Sequence, residues 1–463
     1  MLRFTVRSIN IINIPIRCLS STNIVSAPFK QKEGKTKQKM VTKKNDKVDV
    51  KRSTNLTHLP FGEAVRNLQF EKTASELKID ELTSDFSRGK VFIYPKKIES
   101  KLKSMGGFKK FQFQESFAKP ITLTTSNTTR INELFVNKLD EKFENNRLYI
   151  DGSKGIGKST LLNQAIALSL LKHNHDIIVL HMDNAEVIGN GSSNYIFNNK
   201  LSIYQQPMIT RRWIKKILAA NEDTFKKMKL TQDVKFTKDK LEIKLTANKH
   251  TLYDYLSQNF EFGKTDPHTH FKYLINEIKQ HSKNIPVLVS IDNFNAVTDF
   301  SLTQYKSPDF NPIHIQEFEM GKFLIDVANG SIGFEKGGVL LSKCNDFAPN
   351  RKTIEVAVYP EREYNLYMKQ PEFDLELARK LQGIKPFEMT SLTIDESREL
   401  MKIWKDQGVL IVRKDFNKKD FNQESSQVVE VDMESQFEKI VLNSFNTSQG
   451  NPMGMFKQIA LTY

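Results

Sequence analysis

The chain has 463 residues, two cysteines and a formal net charge of +15. Its length allows two or three domains with at least one sizeable core. Cys18 and Cys344 exclude a disulfide framework and a Cys/His zinc site, and no apolar run is long enough for a membrane-spanning helix.

The charge is concentrated at one end. Residues 1–60 hold 13 Lys/Arg against only Glu33, Asp46 and Asp49, so a mildly basic body carries a strongly basic arm. Such an arm suits a polyanion, nucleic acid being the commonest, or is a solvated tail with no fixed partner. The first stretch, "MLRFTVRSINIINIPIRCLSST", places Arg3, Arg7 and Arg17 among isoleucines and hydroxyl residues without an acid. That pattern fits a mitochondrial transit peptide over 1–20, with cleavage expected shortly after Arg17. Pro15 and Arg17 interrupt what would otherwise be the core of a secretory signal. Residues 21–53 are lysine-rich and poor in apolar groups, which predicts a disordered basic arm.

Residues 54–118 return to mixed composition and are expected to form an adaptor segment. "GEAVRNLQF" and "KKIESKLKSM" suggest short helices, and the alternating aromatics of "FKKFQFQ" (108–114) suggest a strand packing into a core, with stacking on bases as the alternative. A helix-like run, "RINELFVNKLDEKFEN", leads into "LYIDGSKGIGKSTLLNQ", an apolar strand, a glycine-rich turn and a helix start. Buried strands are then expected in "NHDIIVLHMD" (174–183), "IPVLVSIDNFNAV" and "GGVLLSKC" (337–344). "IYQQPMITRRWIKKILAAN" and "THFKYLINEIKQHSKN" are the intervening helices. Residues 222–250 are lysine-rich and weakly patterned, which predicts a surface excursion.

Continuously apolar strands separated by helices indicate an α/β fold, a parallel sheet with helices on both faces, spanning 119–350. After residue 350 the pattern changes. "FEMTSLTIDESRELMKIWKDQGVL" gives a strand and then a helix capped by Thr393 or Asp395 and ending near Gly408, and two further helices flank Gly450-Asn451-Pro452. Residues 351–463 are therefore expected to form a mainly helical, lid-like domain.

Gly152-Ser-Lys-Gly-Ile-Gly157-Lys158-Ser159 fits GxxxxGK[ST] in full. The glycines let backbone N–H groups turn inward around phosphates, and the helix that follows aims its free N–H groups and dipole at the same anion. Lys158 is expected on the β- and γ-phosphates and the Ser159 hydroxyl on Mg²⁺. The partner acid is Asp292, at the end of the apolar strand Val287–Ile291, where it can hold the Mg²⁺ water shell. Asp183, ending another strand, is the alternative.

Hydrolytic P-loop ATPases with an additional strand usually place Glu after this acid, to orient the attacking water. Here the residue is Asn293, and an amide cannot take the water's proton. Binding with slow or no turnover is the expectation. Nine scattered histidines offer no metal-ligand spacing, and no nucleophile elbow is present. Arg211 and Arg212 beside Trp213 suit either RNA contact or an ordinary helix with a buried tryptophan and two solvated arginines.

With "GSKGIGKSTLLNQ", "YQQPMITRRWIKKILAAN", "VLVSIDNFNAV" and the late "QGNP" (449–452) taken in this order, the chain over roughly residues 55–463 resembles the mitochondrial ribosomal small-subunit proteins related to death-associated protein three. The resemblance implies an AAA-like P-loop NTPase fold, a place in the head of the mitochondrial small ribosomal subunit in the matrix, and contacts with its ribosomal RNA and neighbouring proteins. It also implies a bound GTP or GDP, with ATP as the alternative, and Mg²⁺. By it, Gly152, Ser153, Lys154, Gly155, Ile156, Gly157, Lys158, Ser159 and Thr160 form the nucleotide loop, and Ser159 and Asp292 hold the metal. The lysine-rich segments 30–52 and 222–250 fall outside the family pattern. The rival reading is a mitochondrial AAA-type NTPase or GTPase switch with real turnover, for which Arg351 and Arg398 are candidate arginine fingers.

Overall fold

The computed structural model describes residues 74–78, 89–109, 112–117, 119–238, 241–258, 266–345, 353–361, 373–410, 412 and 432–461. The transit peptide, the basic arm, the "GEAVRNLQF" helix and Arg351 lie outside the described residues.

Five strands build the central sheet: β1 (Arg147–Asp151), β2 (Ile178–Met182), β3 (Val287–Ile291), β4 (Gly337–Ser342) and β5 (Lys385–Glu388), in the order β5-β1-β4-β3-β2. Every pairing is parallel. All C-terminal strand ends therefore share one edge, and β4 sits between the strand leading to the glycine-rich loop and the strand ending at Asp292. This is the arrangement of a P-loop NTPase-like α/β fold. The fifth strand falls beyond residue 350, where the sheet was expected to stop. It is an edge strand, which is why Pro386 and two exposed charges are tolerated in it while only Phe387 is buried.

Alternating side chains of these strands feed two cores. One face carries Leu148, Ile150, Val179, Leu288 and Leu340 against α1 (Lys96–Met105), α2 (Ser126–Leu134) and α3 (Lys158–Lys172). Because α3 lies between the sheet and the two other helices, it is buried on nearly every side over Leu161–Leu170. The other face carries Tyr149, Leu180, Val289 and Leu341 against α4 (Pro207–Ala220), α5 (Pro267–His281) and α6 (Glu319–Ala328). Here Phe271, Leu274, Ile275 and Ile278 form the expected apolar stripe of α5, and Trp213 packs against Phe271 and Phe323.

A third core joins α7 (Ile394–Asp406), α8 (Met433–Ser448) and α9 (Pro452–Leu461) to the small sheet formed by residues 75–76, 91–93 and 121–123. Thr393, rather than Asp395, caps α7: its Oγ1 accepts from Glu396 N at 3.3 Å while Glu396 Oε2 accepts from Thr393 N at 2.9 Å. Gly408, at φ 72°, ends that helix as expected.

Three sequence expectations change. The run 130–145 is not one helix: α2 stops at Leu134, and 3-10 turns follow at Val136–Lys138 and Phe143–Asn145. The helix is broken at Phe135, whose φ −124° and ψ −58° leave the helical range, while Phe135, Val136, Leu139 and Phe143 all stay buried. Residues 222–250 form a short helix and an antiparallel hairpin, Val234–Lys238 with Leu241–Leu245, whose Val234, Phe236, Ile243 and Leu245 pack toward the core. Of the segment 108–114, the described residues 108, 109 and 112–114 include no strand. Phe113 adopts φ 54° and stacks on Phe456 of α9, with ring centroids 4.5 Å apart.

A candidate nucleotide site at the sheet edge

The loop between β1 and α3 wraps the start of α3. Gly155 and Gly157 take φ 82° and 107°, open to glycine and strained for other residues. Gly157 is the N-cap, and no side chain caps the helix. The first N–H groups of α3 therefore face the cavity in front of the loop, a ready position for an anion. That cavity has a volume of about 1180 Å³ and is lined by the loop from Lys154 to Leu161, by Lys109 and Lys343, and by Met389, Trp404, Met453 and Phe456.

Lys158 is buried, and its ammonium donates to the carbonyls of Gly152 at 2.9 Å and Ser153 at 2.7 Å. Burial pulls its pKa down to about 8, with nearby Asp151 opposing the shift. Asp151 itself takes the Gly152 N–H at 2.7 Å and pairs with Lys343 at 3.0 Å, and Lys343 also pairs with Glu355 at 2.8 Å.

Parallel register sets the rest. Ile291 pairs with Leu341, so Asp292 emerges beside Ser342. Its Oδ1 accepts from the Ser342 hydroxyl and, at 3.0 Å, from Asn293 N; its Oδ2 accepts from the Lys109 ammonium. Burial works against the Asp292 charge, but Lys109, Ser342 and Ser159 together hold its carboxyl below the usual carboxylate range. Asn293 has φ 60°, a left-handed conformation that asparagine tolerates, and its amide donates to Asn184 Oδ1 at 2.8 Å. Asp183, the alternative acid, lines the cavity but is paired with Lys216 at 2.6 Å.

The loop is also covered from the C-terminal side. Asn451 Nδ2 donates to Lys154 O at 2.7 Å, and Met453 N donates to Gly155 O at 3.3 Å. A Cβ on Gly155 would stand 2.6 Å from Met453 Cβ. The "QGNP" segment is thus a turn seated on the glycine-rich loop.

Gly152 through Thr160 are brought together as the motif requires, and Ser159 meets Asp292. These groups fit a nucleotide's phosphates: a buried ammonium, open helix N–H groups and further lysines converge on one cavity. They do not fit a divalent cation as arranged, because Lys109 already neutralises the Asp292 carboxylate and the neighbouring Asn293 is an amide. Lys109 carries no local sequence motif, whereas the Asn451–Met453 cover begins in the "QGNP" stretch that the sequence marks. Elsewhere, Trp213 is buried and its Nε1 donates to His181 O at 2.8 Å, while Arg212 is exposed. Arg398 is tied to Glu438 at 2.9 Å and Asp395 at 2.5 Å within the helical cluster.

The family model for mitochondrial ribosomal death-associated protein 3 matches residues 122–458. The small ribosomal subunit protein mS29 of Schizosaccharomyces pombe is 25% identical over 341 residues, covering 72% of this chain and 69% of that one. Its Neurospora crassa counterpart is 22% identical, with 73% and 72% covered. Among solved structures, Cdc6p of Pyrobaculum aerophilum matches at a TM-score of 0.29 and 10% identity, over 82% of this chain and 68% of that chain, too slight a likeness to carry an argument.

Proposed function

The chain belongs to the family of mitochondrial ribosomal death-associated protein 3, and from that premise we propose that it is a structural constituent of the mitochondrial small ribosomal subunit, located in the matrix, whose P-loop domain holds a purine nucleotide as a fixed part. GDP or GTP is the nucleotide favoured, with ATP the alternative. The mS29 names of the Schizosaccharomyces pombe and Neurospora crassa relatives support the ribosomal role. The observation that carries the nucleotide is the buried Lys158 ammonium beneath an uncapped helix start, on a cavity roomy enough for the base and phosphates.

Retention rather than turnover follows from Asn293. Its amide is committed to Asn184, and no carboxylate occupies the position that would take a proton from an attacking water. The only acids lining the cavity among the described residues are Asp183, bound to Lys216, and Glu186. A nucleotide bound only to the folded chain stabilises it by roughly 2.7 kcal/mol at a hundredfold excess over Kd. The basic arm and the exposed Arg212 are proposed to contact ribosomal RNA and neighbouring subunit proteins, and residues 1–20 to direct import.

Two measurements test this. Sedimentation of mitochondrial lysate should place the chain with the small subunit, and migration away from it would refute the ribosomal role. Nucleotide released by denaturing the purified protein should be a purine diphosphate or triphosphate near one per chain, and Lys158→Ala should abolish it. Sustained hydrolysis lost in Lys158→Ala while assembly persists would instead support a nucleotide-driven switch.

A further inference from the structure

The segment carrying Lys109 is held at both sides. Gly106, at φ 83°, ends α1 and turns the chain toward α3. There the buried Asn163 donates to Gly107 O at 2.6 Å and lies 3.5 Å from Gln112 Oε1. Asn163 is one turn beyond Ser159 on the helix that starts at the phosphate loop, so Lys109 is fixed relative to that loop. On the far side, Phe113 stacks on Phe456 of α9. Between these anchors the Lys109 side chain reaches Asp292, 183 residues away in sequence, while also lining the cavity. Asp292 is only 2% exposed and does not line that cavity.

In a P-loop site the divalent cation links this acid to the phosphates and offsets their charge. A lysine ammonium pinned between the acid and the cavity meets both requirements with a single tethered charge. A divalent cation could reach Asp292 only by displacing it against like-charge repulsion. We propose that Lys109 occupies the cation position of this site, so that nucleotide is held by Lys158, Lys109 and the start of α3 without Mg²⁺. Under this proposal, which rests on the nucleotide-binding reading above, Ser159 and Asp292 do not serve as Mg²⁺ ligands, unlike the sequence expectation.

The test is fluorescence titration of the full chain with mant-GDP and mant-ADP, in Mg²⁺ buffer and in excess EDTA. The Kd of the wild type is expected to change less than about threefold between the two buffers. Lys109→Met should lose about tenfold or more in EDTA and regain affinity with Mg²⁺, whereas Lys109→Arg should keep the wild-type indifference. A wild-type Kd that weakens more than about tenfold in EDTA overturns the proposal while leaving nucleotide binding intact, and needs no variant to fold. Absence of binding in both buffers overturns the nucleotide reading and this proposal together.

Discussion

Asn451→Ala isolates the contact between the helical cluster and the phosphate loop. The side chain makes one bond outward, to Lys154 O at 2.7 Å, and two inward, from Met453 N and Gly454 N at 3.2 Å each. The inward pair is the N-cap of α9, and its loss costs about 1 kcal/mol. The outward bond is partly solvated and contributes about 0.5 kcal/mol. Alanine should therefore weaken closure of α9 over the loop by about 1.5 kcal/mol, equivalent to about tenfold in the closing equilibrium. Hydrogen exchange read by mass spectrometry measures this directly. Amides in Pro452–Leu461 should exchange about tenfold faster, while amides of Val287–Ile291 and Gly337–Ser342 should be unchanged. Acceleration below about twofold in α9, or an equal acceleration across the sheet, would refute the assignment of Asn451 as a local latch.

Other perturbations address separate parts of the molecule. Trp213→Phe removes the bond to His181 O and leaves a void between Phe271 and Phe323, so urea unfolding should register a loss of about 2–3 kcal/mol; a change under about 0.5 kcal/mol would contradict its burial. Asp299 is buried, and its pKa rises from 3.8 to about 7, chiefly through burial. The folded state then binds more protons than the unfolded chain between those values, so stability falls as pH rises through that window and levels off above it. Asp299→Asn keeps the acceptor for Ile354 N and should match wild type near pH 4 but exceed it by about 4 kcal/mol at pH 8; an equal difference at both pH values would refute the assignment. Arg398→Ala should cost under about 1 kcal/mol, since its partners are partly solvated, and should leave any residual nucleotide hydrolysis unchanged. A tenfold fall in turnover would restore Arg398 as an arginine finger.

Where one residue type does one job at short range, the sequence was legible. The apolar runs 287–291 and 337–342 were expected as buried parallel strands and form them, the glycines before Lys158 marked the turn from β1 into α3, and Asp292 stands directly after β3 as its strand pattern required. Long-range pairing was less visible. In "VKFTK" and "LEIKL" the two-residue alternation is present, but the interleaved lysines hide it among neighbouring charges, and the hairpin appears only once Phe236 and Ile243 find the core. Lys109 was invisible for a different reason. Its partner lies 183 residues away, and "GGFKKFQ" offers two lysines without marking either. The nearest signal was the Gly106-Gly107 pair directly after a helix, which marks a sharp turn but not its destination.

The seat of Asn451 and Met453 on the glycine-rich loop spans 297 residues of chain. During synthesis, the loop and its helix exist long before their cover does. A polypeptide extended only to residue 450 has Lys158, Ser159 and Asp292 in place, yet the mouth of the cavity stands open on the side that Met453 and Phe456 would close. Under the proposed nucleotide binding, tight retention therefore waits until residues 451–456 have been made.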